Sequence, residues 1–232
     1  MSSQRILFSL TLAFTVVACE CATAQTPQLS SSLSFVFAGG YRLLEPDELN
    51  NAVPAELGFD GIKNGFTYSG GLRVGLSERL SLTAKAGYFM GSSKKDFIVT
   101  GENSPEPLAV FEEFYKVSSV PVSLGVGYSV PVGKVNLQTE LAAEYHFAKV
   151  SYKPLVLPFS VPSYGAEVTN GGFGFRLAVG PEWRLMPQLS FNGKVGYRFA
   201  KISDFGYEVV TLRKYDLDLS GFFFEAGILV HP

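Results

Sequence analysis

The sequence predicts an all-β fold, an eight-stranded antiparallel up-and-down β-barrel that spans a membrane. Three observations lead to this prediction: alternating apolar and polar segments, connections that are alternately short and long, and a low content of charge. Charged residues make up 17% of the 232 residues, whereas about 25% is usual for soluble domains. After the first two dozen residues, no segment approaches the ~20 consecutive apolar residues of a transmembrane helix. The chain is therefore too apolar for a soluble surface and yet has no predicted membrane helix.

The N-terminus has the features of a secretory signal peptide. Arg5 precedes an apolar run, and small residues then form an A-x-A site that ends at Ala24, before Gln25. We predict a signal peptide over residues 1–24 and one barrel domain over residues 25–232, which contains no cysteine. A retained N-terminal anchor is one alternative. Lipidation of Cys19, which sits in a lipobox-like Val-Val-Ala-Cys run, is another.

Eight segments alternate with the period of two that is typical of half-buried strands. They cover residues 33–43, 66–76, 80–91, 114–130, 135–147, 173–185, 189–199 and 215–230. The last segment is irregular, since Leu217 and Leu219 fall on the opposite parity to Phe222. A bulge near Gly221 would bring them onto the same face. The short connections are 77–79, 131–134 and 186–188, and the long ones are 44–65, 92–113, 151–172 and 203–214, which is the outer-membrane pattern of short periplasmic turns and long outer loops.

The two faces of the strands indicate which side meets lipid. One face is mostly Gly, Ala, Ser and Thr, which suits a narrow interior, whereas the other carries bulky apolar side chains. A soluble lipocalin-like barrel, with the apolar face inside, is the rival arrangement. Aromatic residues near the strand ends predict two interfacial girdles. The predicted girdle residues are Tyr41, Tyr68, Tyr88, Tyr145 and Tyr197 toward the long loops, and Tyr128 and Trp183 toward the turns.

Charged residues recur on the small-residue face. A basic residue facing lipid at the membrane centre would cost ~2–4 kcal/mol, so we expect these charges to point into the lumen. Because an isolated buried charge is untenable, they should pair in a network that closes the barrel. The predicted network is Arg42, Arg73, Lys85, Glu140, Glu144, Arg176, Glu182, Arg184, Lys194, Arg198 and Glu225. A gated or ion-selective passage is the functional alternative to a structural plug.

Taken together, these features resemble the small outer-membrane barrels of the OmpA/OmpX type. The resemblance rests on the alternating strands, the glycine-rich inner face, the internal Arg and Glu residues and the glycine-containing last strand, residues 221–228. It implies residence in the outer membrane of a Gram-negative bacterium, assembly by the barrel-assembly machinery, and contact with outer-membrane lipids and lipopolysaccharide. The chain departs from the usual pattern at its last residues, Leu229-Val230-His231-Pro232, where such barrels carry a terminal aromatic residue. We therefore expect no peptidoglycan-binding domain after the barrel.

The sequence offers little support for catalysis or metal binding. A small-barrel lipid A deacylase uses a His and a Ser two residues apart, but His146 is followed by Ala148 at that spacing and points inward. His146 is better interpreted as a hydrogen-bonded lumen residue beside Glu144. The domain lacks cysteine and a spaced histidine pair, so we expect no metal and no cofactor. The acidic loop that contains Glu45 could attract divalent cations, although a solvated loop is the simpler interpretation.

The predicted function is structural, or a surface interaction through the long loops, and we do not expect an enzyme. An apolar loop with three prolines, Lys153 to Tyr164, is a candidate surface for a protein partner. The net charge of −2 gives no case for nucleic-acid binding, and we expect a monomer. A narrow small-solute channel is the main alternative. A lipid-modifying enzyme and a soluble lipocalin-like carrier are the others.

Overall fold

A computed structural model describes residues 32–45, 61–100, 107–157, 166–206 and 214–232. The strands are β1 Leu33–Leu43, β2 Asn64–Gly75, β3 Leu80–Thr100, β4 Pro107–Val132, β5 Val135–Leu157, β6 Ala166–Met186, β7 Leu189–Gly206, β8 Lys214–Asp218 and β9 Gly221–Val230. In these ranges the model contains no helix long and apolar enough to cross a membrane. The predicted signal peptide, with Cys19 and Ala24, lies outside the described residues.

The strands form one antiparallel sheet that closes on itself. From β1 to β7 each strand pairs with the next along the chain. β8 and β9 both pair with β7 and are separated only by Leu219 and Ser220, so they are two segments of one barrel strand. β9 also pairs with β1, which closes the wall. The predicted eight-stranded up-and-down barrel is confirmed.

Side chains alternate between the outer wall and the lumen, as they must along a strand. The outer wall is apolar: Phe173 is 77% exposed and Tyr68 62% exposed. The lumen is polar, since Arg42, Arg176 and His146 are at most 2% exposed. The bulky apolar face therefore points outward, and the lipocalin-like arrangement is wrong.

The strands are much longer on one side of the barrel than on the other, and we call the side formed by β3, β4 and β5 the tall wall. β1, β2 and β9 have 11, 12 and 10 residues, whereas β3, β4 and β5 have 21, 26 and 23. A tilted strand of about 9–11 residues already crosses a bilayer. We call the end with the short turns the turn end and the opposite end the loop end. The tall strands extend beyond the lipid at the loop end.

This extension corrects two predicted loops. Much of residues 92–113 and 151–172 forms strand, because β3 to β6 continue through them. Beyond the membrane neither face of a strand meets hydrocarbon, so the sequence alternation stops before the strand does. Pro154 does not end β5 either. It pairs with Glu113 of β4, but β5 pairs with β6 only as far as Tyr152. Proline is tolerated at this edge because no strand among the described residues pairs with β5 on that side of Pro154.

The chain is interrupted between β8 and β9, at the place where a bulge is predicted. Gly221 has a φ of +150°, and a Cβ there would lie 1.8 Å from the carbonyl oxygen of Leu43. Only glycine fits this position without strain. The interruption does not turn Leu217 and Leu219 outward, however, because both are buried in the lumen. The expected outward orientation of these two leucines is therefore wrong.

Candidate functional site in the barrel lumen

Seven charged side chains meet in the middle of the lumen, and we call them the charged layer. The members are Lys85 on β3, Glu140 and Glu144 on β5, Arg176 on β6, Lys194 and Arg198 on β7, and Glu225 on β9. Each is at most 8% exposed. They come together because every one lies on the inward parity of its strand, opposite the apolar outer positions. Four cations thus share three carboxylates.

Glu140 contacts more cations than any other carboxylate among the described residues. Arg176 donates a hydrogen bond to it, Lys85 Nζ lies 3.2 Å from Oε1, and Lys194 Nζ lies 2.5 Å from Oε2. These contacts connect β5 across the lumen to β3, β6 and β7. Loss of this one carboxylate would leave three buried cations with less compensation, which is the costly way to break a buried ion pair.

Glu144 and Glu225 bind the two guanidinium groups of the charged layer, those of Arg198 and Arg176. Arg198 donates to both oxygens of Glu144, with 3.1 Å between Nη2 and Oε1. Arg176 Nη1 donates to Glu225 Oε2 over 3.2 Å. The two guanidinium carbons lie 5.7 and 5.6 Å from the ring centroid of Phe223, which is buried on β9. Carboxylates and one aromatic ring together fix both arginines.

A smaller ion pair lies nearer the turn end. Arg73 Nη1 is 2.6 Å from Glu182 Oε2, and Gln138 also donates to Glu182. Arg184, which is predicted to join the network, is exposed and donates to the carbonyl oxygen of Pro187 over 2.9 Å. It lies two residues from the end of β6, where the strand leaves the lumen. This position separates it from the buried charges.

Arg42 lies on the loop-end side of the charged layer. Its side chain is fully buried, and its guanidinium carbon is 4.3 Å from the ring centroid of Phe89. Nη1 donates to the carbonyl oxygen of Leu219 over 3.4 Å, while Nε and Nη2 find no hydrogen-bond partner in the part of the chain that the structure describes. Within the described ranges no carboxylate pairs with Arg42. The prediction that it joins the ion-pair network is therefore wrong, and it stacks on an aromatic ring instead.

Above Arg42 the lumen is filled by apolar side chains, which we call the apolar layer. Its members are Ile62, Phe89, Tyr115, Val117, Ala148, Val150, Ala200, Ile202, Leu217 and Leu219, all at most 2% exposed. The change in chemistry is visible along β5. From the turn end its inward positions are Gln138, Glu140, Ala142, Glu144, His146, Ala148 and Val150. This layer is not among the features predicted from the sequence, although large apolar residues at inward positions, such as Phe89 and Leu217, indicate it.

His146 lies at the boundary between the two layers and contacts a serine that the sequence spacing does not reveal. Its Nδ1 is 3.1 Å from Ser119 Oγ on β4, and its Nε2 is 3.3 Å from Glu144 Oε2, outside hydrogen-bonding geometry. All three residues are at most 3% exposed, and Glu144 already accepts from Arg198. A nucleophile needs access to a substrate as well as a base. This buried set has no such access.

A second histidine lies at the turn end. His231 Nδ1 is 2.8 Å from Ser34 Oγ on β1, and Nε2 is 2.9 Å from Ser190 Oγ on β7. The ring thus bridges the two strands that flank β9. Burial lowers the pKa of His231 below its ordinary value. Together with Glu182 and Arg184, it lines an open cavity of about 490 Å³.

The predicted girdle residues lie on the outer wall. Tyr145 packs edge-on against Phe147 and Phe173, with ring centroids 4.9 and 5.0 Å apart. At the opposite end, Trp183 stacks on Phe191 at 5.8 Å. The other predicted members are Tyr41, Tyr68, Tyr88, Tyr128 and Tyr197, and each of them is partly or largely exposed. Their role at the membrane interfaces remains a prediction.

The described residues contain no group of three or more His, Cys, Asp or Glu side chains that could hold a metal ion. Of the acidic first loop, only Glu45 is described, and it accepts a hydrogen bond from Tyr197. The segment from Lys153 to Tyr164 is described only as far as the backbone of Leu157. These predictions therefore stay open.

The closed barrel, its apolar outer wall and its polar lumen define a class: this is a transmembrane β-barrel of the outer membrane. Residues 9–227 match the family model described as "outer membrane protein beta-barrel domain". The chain belongs to this family, and it resides in the cell outer membrane. No curated protein matches it.

Two solved structures show the same fold at low sequence identity, and a third is a weaker match. The outer membrane protein OprG from Pseudomonas aeruginosa is 14% identical, with 87% of this chain and 97% of that chain covered and a TM-score of 0.51. A major outer membrane protein from Thermus thermophilus is 14% identical, with coverages of 88% and 100% and a TM-score of 0.50. Neisserial surface protein A is 12% identical, with coverages of 85% and 95% and a TM-score of 0.41.

Proposed function

We propose that this protein acts at the cell surface, through the part of its sheet that stands above the lipid, and that its lumen is closed to solutes. The carrying observation is the difference in strand pairing at the loop end: among the described residues, β3 pairs with β4 as far as Thr100 but with β2 only as far as Met90. Contact with outer-membrane lipids and insertion by the barrel-assembly machinery are expected of a barrel of this family. The alternative of a narrow channel requires a continuous wet path through the lumen.

Two layers of opposite chemistry support the closed lumen. A hydrated ion would have to separate the Glu140 contacts in the charged layer and then cross the fully buried rings of Phe89 and Tyr115. The first step breaks buried ion pairs, and the second removes water from the ion. Each layer alone would impede passage, and the lumen contains both.

The surface role is supported by the shape of the loop end. β2 pairs with β3 only up to Met90, whereas β4 pairs with β3 as far as Thr100. Among the described residues no strand covers the other edge of residues 92–100. Counted from Val120, the last exposed apolar residue of β4, the pairing of β4 with β5 continues to Val110. At ~3.3 Å per residue, β4 therefore extends roughly 30 Å beyond Val120. We call this extended part of β3, β4 and β5 the tip.

This edge has the properties that strand addition requires. An extended segment of a partner can add to an exposed edge through main-chain hydrogen bonds. Residues 97–100 are Phe-Ile-Val-Thr, which are strong strand formers, and residues 92–100 contain no proline. The opposite edge, on β5 above Tyr152, carries Pro154 and is thereby blocked. We therefore assign partner binding to the β3 edge. The apolar loop from Lys153 to Tyr164 remains a second candidate surface, and its described backbone, as far as Leu157, pairs with the other side of β4.

The test is a variant in which residues 95–113 are replaced by Asn-Gly, so that the paired residues Lys94 and Phe114 flank a tight turn. Cells that display the wild type or this variant are passed over an array of secreted and surface proteins. We expect the variant to fold, to shift on heating in electrophoresis, and to lose the array signals of the wild type. Lys194→Gln, which changes only the lumen, is the matched control and should keep them.

Two results would contradict the proposal. Array signals that persist in the shortened variant would exclude the tip as the binding surface. Permeation of small solutes into vesicles that contain the wild type, changed by Lys194→Gln, would favour the channel instead.

A further inference from the structure

The charged layer has an excess of positive charge. Its four basic side chains share three carboxylates, all of them at most 8% exposed, so one cation has no counterpart. Arg42, on the loop-end side, adds another cation, and within the described ranges no carboxylate pairs with it. A buried charge without compensation is costly, because little water reaches it. The lumen therefore favours either a bound anion or the loss of a proton from a lysine.

A small cavity lies within the charged layer. Its volume is about 10 Å³, which is room for one water molecule or one monatomic ion. Three of the four cations of the layer line it, namely Lys85, Arg176 and Arg198, together with the carboxylates Glu144 and Glu225. Cations therefore outnumber carboxylates around the cavity itself, as they do in the whole layer.

The side chains that line the cavity have hydrogen-bond donors to spare. Arg176 Nε and Arg198 Nη1 are buried and find no hydrogen-bond partner in the described part of the chain. Thr67 and Ser69 of β2 also line the cavity, and their hydroxyl groups can donate. The two carboxylates, in contrast, already accept hydrogen bonds, Glu144 from Arg198 and Glu225 from Arg176. Spare donors beside excess positive charge are the chemistry of an anion site.

We propose that this cavity binds one halide ion, such as chloride, as the fourth negative charge of the charged layer. The charge balance selects an anion over water or a cation. The small volume selects a monatomic anion over phosphate or sulfate. The site does not depend on the tip, and binding that is measured through equilibrium unfolding needs no path for the ion through the folded lumen. This proposal and the proposed function can therefore fail separately.

The experiment is urea unfolding of the full-length protein in lipid vesicles, followed by the fluorescence of Trp183. Sodium methanesulfonate, whose anion is too large for the cavity, is replaced stepwise by sodium chloride at constant ionic strength. A ligand that binds only the folded state lowers the unfolding equilibrium constant by the factor 1 + [L]/Kd. We expect a saturable effect, which reaches about ten-fold when the chloride concentration is roughly ten times Kd.

Two variants test the site, and a third is the matched control. Lys194→Gln balances the charges of the layer, and Lys194 contacts Glu140 without lining the cavity. We expect the chloride effect to fall to about two-fold or less in this variant. Thr67→Val removes one donor at nearly constant volume and should raise the Kd for chloride several-fold. The control, Lys134→Gln, removes an exposed lysine at the turn end and should keep the ten-fold effect.

Crystals of the wild type grown in sodium bromide give a direct readout, because bromide can be located by its anomalous scattering. We expect a bromide peak in the cavity, within hydrogen-bonding distance of Arg176 or Arg198. Peaks confined to the exposed surface would indicate an adventitious ion only and would overturn the proposal.

Three results of the unfolding assay would also overturn the proposal. Equal stability in chloride and in methanesulfonate would show that the layer balances its charge without an ion, by loss of a lysine proton. An equal chloride effect in the wild type and in Lys194→Gln would separate the effect from the charge excess. An unchanged Kd in Thr67→Val would place the ion outside this cavity.

Discussion

The charged layer and the apolar layer occupy one lumen at two heights and hold it together in different ways. In the charged layer stability depends on complete pairing, because the one carboxylate of Glu140 contacts three cations, Arg176, Lys85 and Lys194. In the apolar layer it depends on buried volume, which is spread over ten residues. Loss of a single contact in the charged layer should therefore lower the free energy of unfolding sharply. Substitutions in the apolar layer should lower it in proportion to the volume removed. The difference teaches that a small barrel can be filled by few strong contacts or by many weak ones.

The largest effect is expected from Glu140→Gln. The substitution leaves buried cations facing an uncharged amide, which should lower the free energy of unfolding by ~3–5 kcal/mol. The measurement is urea unfolding in lipid vesicles, followed by the fluorescence of Trp183, the single tryptophan. Glu182→Gln is the control, with a smaller loss because Arg73 is partly exposed to water. Equal losses of unfolding free energy in the two variants would show that Glu140 is not the central carboxylate of the lumen.

Phe89→Ala tests the apolar layer. Removing a buried ring typically costs 3–5 kcal/mol, and we expect about 3 kcal/mol because neighbouring side chains can partly fill the space. The same unfolding assay measures it. Phe173→Ala, whose ring is 77% exposed on the outer wall, is the control and should lose less. A loss from Phe89→Ala that exceeds the loss from Glu140→Gln would contradict the distinction between the layers.

The junction of the layers can be tested by a double-mutant cycle on Arg42 and Phe89. The guanidinium and the ring are stacked and desolvated, so we expect a coupling free energy of ~1–2 kcal/mol between Arg42→Met and Phe89→Leu. Strict additivity of the two losses would show that the stacking seen at 4.3 Å contributes nothing.

The smallest effect is expected outside both layers, at His231. Its pKa is lowered in the folded protein by burial, while in the unfolded chain it titrates near ~6.5. The unfolded state then binds more protons, so the contribution of His231 is complete above pH ~6.5 and is lost as the pH falls. Unfolding midpoints should therefore drop between pH 7.5 and 5, and less so in His231→Gln. If the unfolding midpoint changes equally steeply with pH in the wild type and in His231→Gln, His231 does not contribute to the pH dependence of stability.

The fold could be predicted largely from sequence because lipid imposes a strict alternation on the strands that cross it. The turns 77–79 and 186–188 and the inward charges Glu140 and Arg176 follow from that one constraint. The height of the tall wall could not be predicted, since the alternation fades once a strand leaves the lipid. Pro154 argued against a strand only because its edge position was unknown.

The site was less predictable because parity assigns a face but not a partner. Parity places Arg42 and Arg176 equally in the lumen, yet Arg176 meets carboxylates and Arg42 meets Phe89. The partner that an inward side chain contacts depends on its height along the barrel axis, and this height follows from the strand register. Ser119 and His146 likewise meet only because of the register between β4 and β5.

The most direct test of the account is the ionic conductance of planar bilayers that contain the folded wild-type protein. Folding is verified beforehand by the heat-induced mobility shift. The account predicts a baseline as quiet as that of protein-free bilayers, because both layers close the lumen. Steady conductance steps that scale with the amount of protein, and that change in Lys194→Gln, would contradict it and identify the barrel as a channel.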